Sequence, residues 1–203
     1  MILRSIGRLH GDLKPENILI DPSIQITNSD MFLNTANPQP RYLQVKLIDL
    51  ESGSKYYSWG HKLITTIYYR APEVILGLPW GHEIDQWSLG CIAFELYFGK
   101  ISFSPGESEA NLFGIQHMIG QFPEKMINEC TIPKFKRLFE NGLINPKNIS
   151  TESYEALVGC TPLYKLEMDS DLKDLILKLL SFDPFHRPSL DEILNHPFLV
   201  PKD

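Results

Sequence analysis

The stretch His10–Asn17, reading HGDLKPEN, limits the possible folds of this chain more than any other. It places a carboxylate (Asp12), an ammonium (Lys14) and a carboxamide (Asn17) within six residues, and Pro15 interrupts any regular element between them. Such a cluster can form one short polar loop, and a loop of this kind needs ordered elements on both sides to aim its side chains. Ile18, Leu19 and Ile20 follow it as a brief apolar run. A second run, Val45 to Ile48, leads into Asp49-Leu50-Glu51. Two short strands flanking the loop would bring Asp12 and Asp49 near each other.

The remaining segments read mainly as helices. Ile2, Leu3, Ile6 and Leu9 fall at helical spacing, the last turns of a helix feeding the loop. Residues 21–44 are polar and proline-bearing, an expected surface excursion. From Ser52 to Arg70 little periodicity is visible, which suits a loop ending in Ala71-Pro72-Glu73. Glu83 to Gly99 is apolar on nearly every side, including Leu96, and is expected in the middle of a helical core. Ser108 is positioned to cap a helix on which Leu112, Ile115 and Ile119 share a face, and Gly120 to end it. Residues from about 121 to 168 are rich in turn formers and support no assigned element. Leu172, Leu175, Ile176, Leu179 and Leu180 mark an amphipathic helix broken by Asp183-Pro184. Ser189 and Glu192 form a capping-box pattern for a final helix, stopped by His196-Pro197. The fold class is therefore mainly α, in the α+β sense, with a few short strands near the polar loop.

Composition narrows the functional classes. Charged residues make up 22% and the net charge is -6, which disfavours direct nucleic-acid binding and is compatible with basic peptide partners. Cys91, Cys130 and Cys160 form no CxxC pair, so neither a disulfide framework nor a zinc site is indicated, and a reducing compartment is expected. No apolar run approaches the roughly 18 residues of a membrane span, and MILRSIGRLH lacks the features of a signal peptide. The expected location is nuclear or cytoplasmic. The sequence does not specify an oligomeric state.

Five markers in order carry a resemblance: HGDLKPEN, the Asp49 triplet, Ala71-Pro72-Glu73, Asp85-Gln86-Trp87-Ser88-Leu89-Gly90, and Arg187 in HRP. Together they resemble the C-terminal lobe of eukaryotic protein kinases, from about residue 9 to about residue 199. Taken singly, Asp12 and Asn17 would be loop-capping residues, since Asp and Asn dominate turns. The resemblance implies a protein-kinase-like helical lobe with Asp12 as the base that orients a substrate hydroxyl and Lys14 as the cation beside the transferring phosphoryl group. It also implies Asn17 and Asp49 as ligands of Mg²⁺ bound with ATP, because hard cations prefer oxygen. Thr66, Tyr69 and Arg70 are implied in substrate docking. Glu73 and Arg187 are implied as a buried ion pair, and Asp85 as an acceptor for the loop backbone.

Arg70 in YYRAPEVILG, the insert of about 121–168 and the long interval between Asn17 and Asp49 point to the CMGC group. The segment PWGHEIDQW is similar to one found in LAMMER, or Cdc2-like, kinases. Where their EHLAMMER signature would stand, the chain has Ala110 to His117, ANLFGIQH. The implied activity is serine/threonine phosphorylation, with tyrosine autophosphorylation as an extension and Arg/Ser-rich splicing factors as substrates. The whole chain, 1–203, reads as one partial kinase domain with inserts at 21–44 and about 121–168.

Two departures bear on activity. No Gly-rich phosphate loop or VAIK-type lysine is present, so transfer by these residues alone is expected to be very weak, with apolar surface exposed where the upper lobe would sit. Glu51 also stands where a glycine usually follows the metal aspartate and its apolar neighbour. The competing expectation is a pseudokinase or docking module that binds a peptide or another kinase without transferring phosphate.

Overall fold

A computed structural model of the chain describes residues 8–20, 45–50, 64–103 and 106–200. Of the helix expected through Leu9, residues 1–7 lie outside the described residues, as do the excursion 21–44, Glu51 and the loop as far as Leu63, and Arg8 and Leu9 are not helical. The two apolar runs pair as short antiparallel strands, β1 (Ile18–Ile20) with β2 (Val45–Leu47), Leu19 opposite Lys46. Helices dominate the rest of the chain: α1 (Pro72–Ile75), α2 (Glu83–Phe98), α3 (Ser108–Ile119), α4 (Glu124–Glu129) and α5 (Pro133–Lys136). A hairpin of β3 (Phe139–Glu140) and β4 (Leu143–Ile144) intervenes before α6 (Thr151–Val158), α7 (Ser170–Leu179) and α8 (Leu190–Leu194).

Helix α2 is the axis of the core. Ile84, Trp87, Cys91, Ile92 and Phe94 are all buried, and Trp87 stacks on Phe103 with centroids 5.7 Å apart. It ends at Gly99 in the left-handed conformation (φ 67). The core expectation fails for Leu96, which is 76% exposed in the last turn, while Phe98 two residues on still packs against the core with its ring centroid 4.6 Å from that of Phe94. Gly90 explains how α7 comes so close. A Cβ there would stand 2.9 Å from Leu179 Cβ and from Leu180 Cδ2, so only glycine admits this approach.

Helix α7 buries Leu172, Leu175, Ile176 and Leu179, the stripe that its periodicity predicts. Its start is fixed by Asp169, whose Oδ1 accepts from the amides of Asp171 and Leu172 at 3.0 and 2.9 Å. The helix stops at Leu179, four residues before the Asp183-Pro184 break. Asp183 instead caps a 3₁₀ turn over Pro184–His186, accepting from the Phe185 amide at 3.0 Å. The capping box of α8 is present in both directions: Glu192 N donates to Ser189 Oγ and Ser189 N to Glu192 Oε2. On α3 the cap is one residue earlier than the sequence suggested. Glu107 is the N-cap and Ser108 the first helical residue, with no side-chain capping bond, while Gly120 does end the helix.

The 121–168 segment holds more structure than its composition suggested. Helices of four to eight residues and a tight hairpin are too short to leave a periodic signature. They gain order from docking: Thr131 bonds the end of α1 twice, through its amide to Leu76 O and its hydroxyl to Gly77 O. No helix among the described residues is long and apolar enough to cross a membrane.

One buried ion pair ties the ends of this frame. Arg187 Nη1 and Nη2 donate to the two Glu73 carboxylate oxygens at 2.6 and 2.9 Å, in a side-chain environment that is 0% and 1% exposed. Further donations reach Glu83 O and Ser181 O, and the guanidinium lies over the Trp87 ring at 5.1 Å. Arg187→Ala should lower unfolding stability in urea by about 3–5 kcal/mol, because it leaves the Glu73 charge buried and unpaired. Glu73→Met combined with Arg187→Leu should recover part of that loss. A single variant as stable as the parent would contradict the role of this pair.

Candidate active site

The polar loop is anchored from beneath by the first turn of α2. Asp85 Oδ2 accepts from the His10 amide at 2.7 Å and its Oδ1 from the Gly11 amide at 2.9 Å. Burial pushes the Asp85 carboxyl above its ordinary pKa, and these two amide bonds pull it back without cancelling the effect. His10 joins the loop to the Asp49 strand. Its Nδ1 accepts from the Asp12 amide at 3.2 Å, which assigns the proton to Nε2 and makes Nε2 the donor to Ile48 O at 2.9 Å. Ile48 N donates in turn to Asn17 O at 3.0 Å. Asp49 is thus held one residue from a doubly tethered position, exposed, with φ 61. A left-handed aspartate is an uncommon strain that tends to occur at functional sites.

Asp12 itself is clamped. Its Oδ1 accepts from Thr66 N at 2.7 Å and Thr66 Oγ1 at 2.8 Å, and its Oδ2 faces Lys14 Nζ at 3.0 Å. Lys14 Nζ also donates to Thr66 Oγ1 at 3.1 Å. Burial opposes the charged form of Asp12, but the bonds from the Thr66 hydroxyl, Lys14 and the Thr66 amide outweigh it and hold the carboxyl below the usual carboxylate range. Asn17, buried, donates its amide NH₂ to Asp12 O at 2.8 Å. That bond uses the nitrogen and not the side-chain oxygen.

The structure therefore brings together Asp12, Lys14, Asn17 and Thr66, with Asp49 tethered to the same loop through Ile48. It places two of the residues expected in docking elsewhere. Tyr69 is 3% exposed and donates its hydroxyl to Glu95 Oε2 at 2.6 Å, so its side chain belongs to the core and not to a docking surface. Arg70 turns back on its own loop, with Nη2 and Nε on Thr65 O at 2.6 and 3.2 Å and Nε on Ile64 O at 3.1 Å. It braces Thr65, which sits at φ 71. Glu73, Asp85 and Arg187 support the site from the frame.

Sequence reasoning missed several supports. Ser88 Oγ donates to Tyr69 O at 2.8 Å, and Asn111 Nδ2 to Ile67 O at 3.0 Å. Gln116 Oε1 accepts from Ile144 N, and His117 Nε2 bonds Cys160 O. Three of these four side chains come from ANLFGIQH, a stretch notable in the sequence only for its departure from EHLAMMER. The three cysteines are free, and burial pushes the Cys91 thiol pKa up.

A clamped carboxylate with an adjacent ammonium, beside oxygen donors on a second tethered segment, is the arrangement of a phosphoryl-transfer catalytic loop. The protein kinase domain model matches residues 2–199, and the chain belongs to the protein kinase family. It is 34% identical to the serine/threonine-protein kinase Doa of Drosophila melanogaster, across 93% of this chain and 24% of that protein. Human dual specificity protein kinase CLK4 is 33% identical across 93% of this chain and 40% of its own length. For Arabidopsis thaliana serine/threonine-protein kinase AFC3 the figures are 34%, 97% and 52%. A crystal structure of a kinase domain superposes with a TM-score of 0.80 at 32% identity, covering 98% of this chain and 61% of that one. These matches include LAMMER-type kinases, the group the sequence resembles, and the chain spans about a quarter to a half of the length of the curated relatives named here.

The clamp and the tight loop each predict a measurable effect. Because the folded-state pKa of Asp12 lies below its unfolded value of about 3.9, its stabilisation is complete above that pH and is lost as pH falls through the folded value. Thr66→Val should return Asp12 towards ordinary titration, seen by NMR of its carboxyl carbon, and cost on the order of 1 kcal/mol near neutral pH. A titration that does not move would contradict the clamp. Gly11 adopts φ 76, and a Cβ there would lie 2.6 Å from Ile64 Cδ1. Gly11→Ala should therefore cost about 1–2 kcal/mol in urea unfolding, and an unchanged midpoint would show that the loop relaxes freely.

Proposed function

We propose that these residues form the lower, catalytic lobe of a serine/threonine protein kinase that transfers the γ-phosphoryl group of ATP to protein hydroxyls. The observation that carries this reading is the Thr66–Asp12–Lys14 clamp: a carboxylate held ionised and oriented, with a cation at its side. Asp12 accepts a hydrogen bond from the substrate hydroxyl, aims its oxygen at the γ-phosphorus and takes the proton as the new P–O bond forms and the bond from the γ-phosphorus to the bridging oxygen breaks, ADP leaving with that oxygen. Lys14 offsets negative charge on the transferring group. The donor set fits Mg²⁺, since the Asn17 side-chain oxygen and the exposed Asp49 carboxylate are hard ligands on segments tied together through Ile48. When bound, the metal would neutralise charge on the ATP phosphates.

The glycine-rich loop and paired lysine of the family are not among these 203 residues. In our reading the nucleotide-binding lobe comes from sequence outside them and covers the sheet face that carries Ile20, Val45 and Leu47, where Ile20 pairs with Val45 and each of the three is more than 40% exposed. Substrates would be basic proteins, Arg/Ser-rich ones included, in keeping with the net charge of -6 and with Glu16 exposed four residues from Asp12. The dual-specificity names of several relatives extend the proposal to tyrosine. A nuclear or cytoplasmic location accords with three unpaired cysteines.

The test is phosphoryl transfer from labelled ATP to an Arg/Ser-rich peptide by the native gene product. Asp12→Asn should lower kcat by roughly 10²–10⁴-fold while leaving the thermal midpoint close to the parent's. Retention of full activity by that variant would sink the assignment.

A further inference from the structure

Helix α3 (Ser108–Ile119) stands between the 121–168 insert and the docking loop, and Asn111 is where it touches that loop. Asn111 is 0% exposed, and its Nδ2 donates at 3.0 Å to the carbonyl of Ile67. Its Oδ1 is buried without a hydrogen-bond partner among the described residues. A buried amide that leaves its oxygen unpaired is a costly choice where an apolar side chain would pack, unless the bond made by its nitrogen is needed. The acceptor fixes the amide orientation, since Ile67 O can only receive.

Ile67 opens the 3₁₀ turn Ile67–Tyr69, and the residue before it is Thr66, which holds Asp12 through both its amide and its hydroxyl. The turn is gripped from α2 as well, by Ser88 Oγ on Tyr69 O and by the Tyr69–Glu95 bond. Asn111 supplies the grip on its near end. On its other face, α3 receives the insert through Gln116 with Ile144 N at 2.9 Å and His117 with Cys160 O at 2.7 Å. A continuous path of hydrogen bonds and one rigid helix thus runs from the insert to Ile67, and from there through Thr66 to Asp12.

We infer that Asn111 is a positioning residue for phosphoryl transfer. It sets the Ile67 turn so that Thr66 reaches Asp12, and it transmits the seating of the insert to the catalytic loop. This rests on the kinase reading above. The chemistry is sensitive to such placement, because small misalignments of an oriented nucleophile lower the rate while leaving nucleotide binding intact.

The experiment compares Asn111→Leu and Asn111→Ala, which lose the donor at two different volumes, with Asn111→Gln, which keeps one, all in the native gene product. Transfer to an Arg/Ser-rich peptide and hydrogen exchange over residues 64–70 are measured together. Both donor-less variants should lose about tenfold or more in kcat with the KM for ATP little changed, and exchange at 64–70 should quicken more than in α7. Asn111→Gln should recover part of each. Parent-like kcat in the donor-less variants, or an equal loss in Asn111→Gln, overturns the inference. Exchange that quickens uniformly through the chain also overturns it, since Asn111 would then act only on global stability. If the parent transfers no phosphate, the kinase reading falls by itself. The exchange result then decides alone: local quickening at 64–70 supports the link and unchanged exchange refutes it.

Discussion

The Arg187 guanidinium makes four hydrogen bonds in a fully buried site, and the rest of the lobe depends on it. Glu73 at the end of the docking loop, the Glu83 carbonyl at the start of α2 and the Ser181 carbonyl after α7 all meet on this one group. A buried charge of this kind contributes little net stability compared with an apolar replacement, but it is exacting about geometry. Three elements far apart in sequence must arrive together or leave ions unpaired. The start of α2 is fixed by that junction, and two residues later Asp85 receives the backbone of the catalytic loop. The frame thus orients the loop before any substrate is present.

Function comes from what the frame leaves ionised and what it leaves open. Asp85 is half-buried and spends its carboxylate on two amides. Asp12 is partly open and is held in its charged form by Thr66 and Lys14 despite burial. Both aspartates serve the same loop, and their surroundings commit one to backbone amides and hold the other charged, the state that the proposed chemistry needs. Asp49 adds a third environment, exposed and left-handed, suited to a cation ligand more than to a core contact.

Much of this was legible in the sequence because the site is local. HGDLKPEN packs its groups into eight positions, and Glu73, Asp85 and Arg187 each stand in a marker whose order is informative. The α7 stripe and the α8 capping box were readable for the same reason, since helical period and cap spacing are short-range patterns. Tertiary contacts set what could not be read. Tyr69 has the look of a surface docking residue beside Tyr68, and only the position of Glu95 on α2 turns it inward. The carbonyls that Arg70 braces have no sequence signal. The helices and hairpin of the insert are each shorter than the window that periodicity requires, and they are ordered by α1 and α3. Asn111 has the look of a lost signature residue, whereas its meaning depends on the Ile67 carbonyl 44 positions away in sequence.

The helical frame builds the Asp12 clamp in advance of substrate, and every functional role assigned to the loop rests on that. Hydrogen exchange at the Thr66 amide, measured residue by residue in the protein free of nucleotide and peptide, tests it most directly. A clamp in place predicts protection close to that of core amides in α2, well above an exposed loop. Exchange at the rate of an unstructured loop, with protection gained only when ATP and peptide are added, would contradict it.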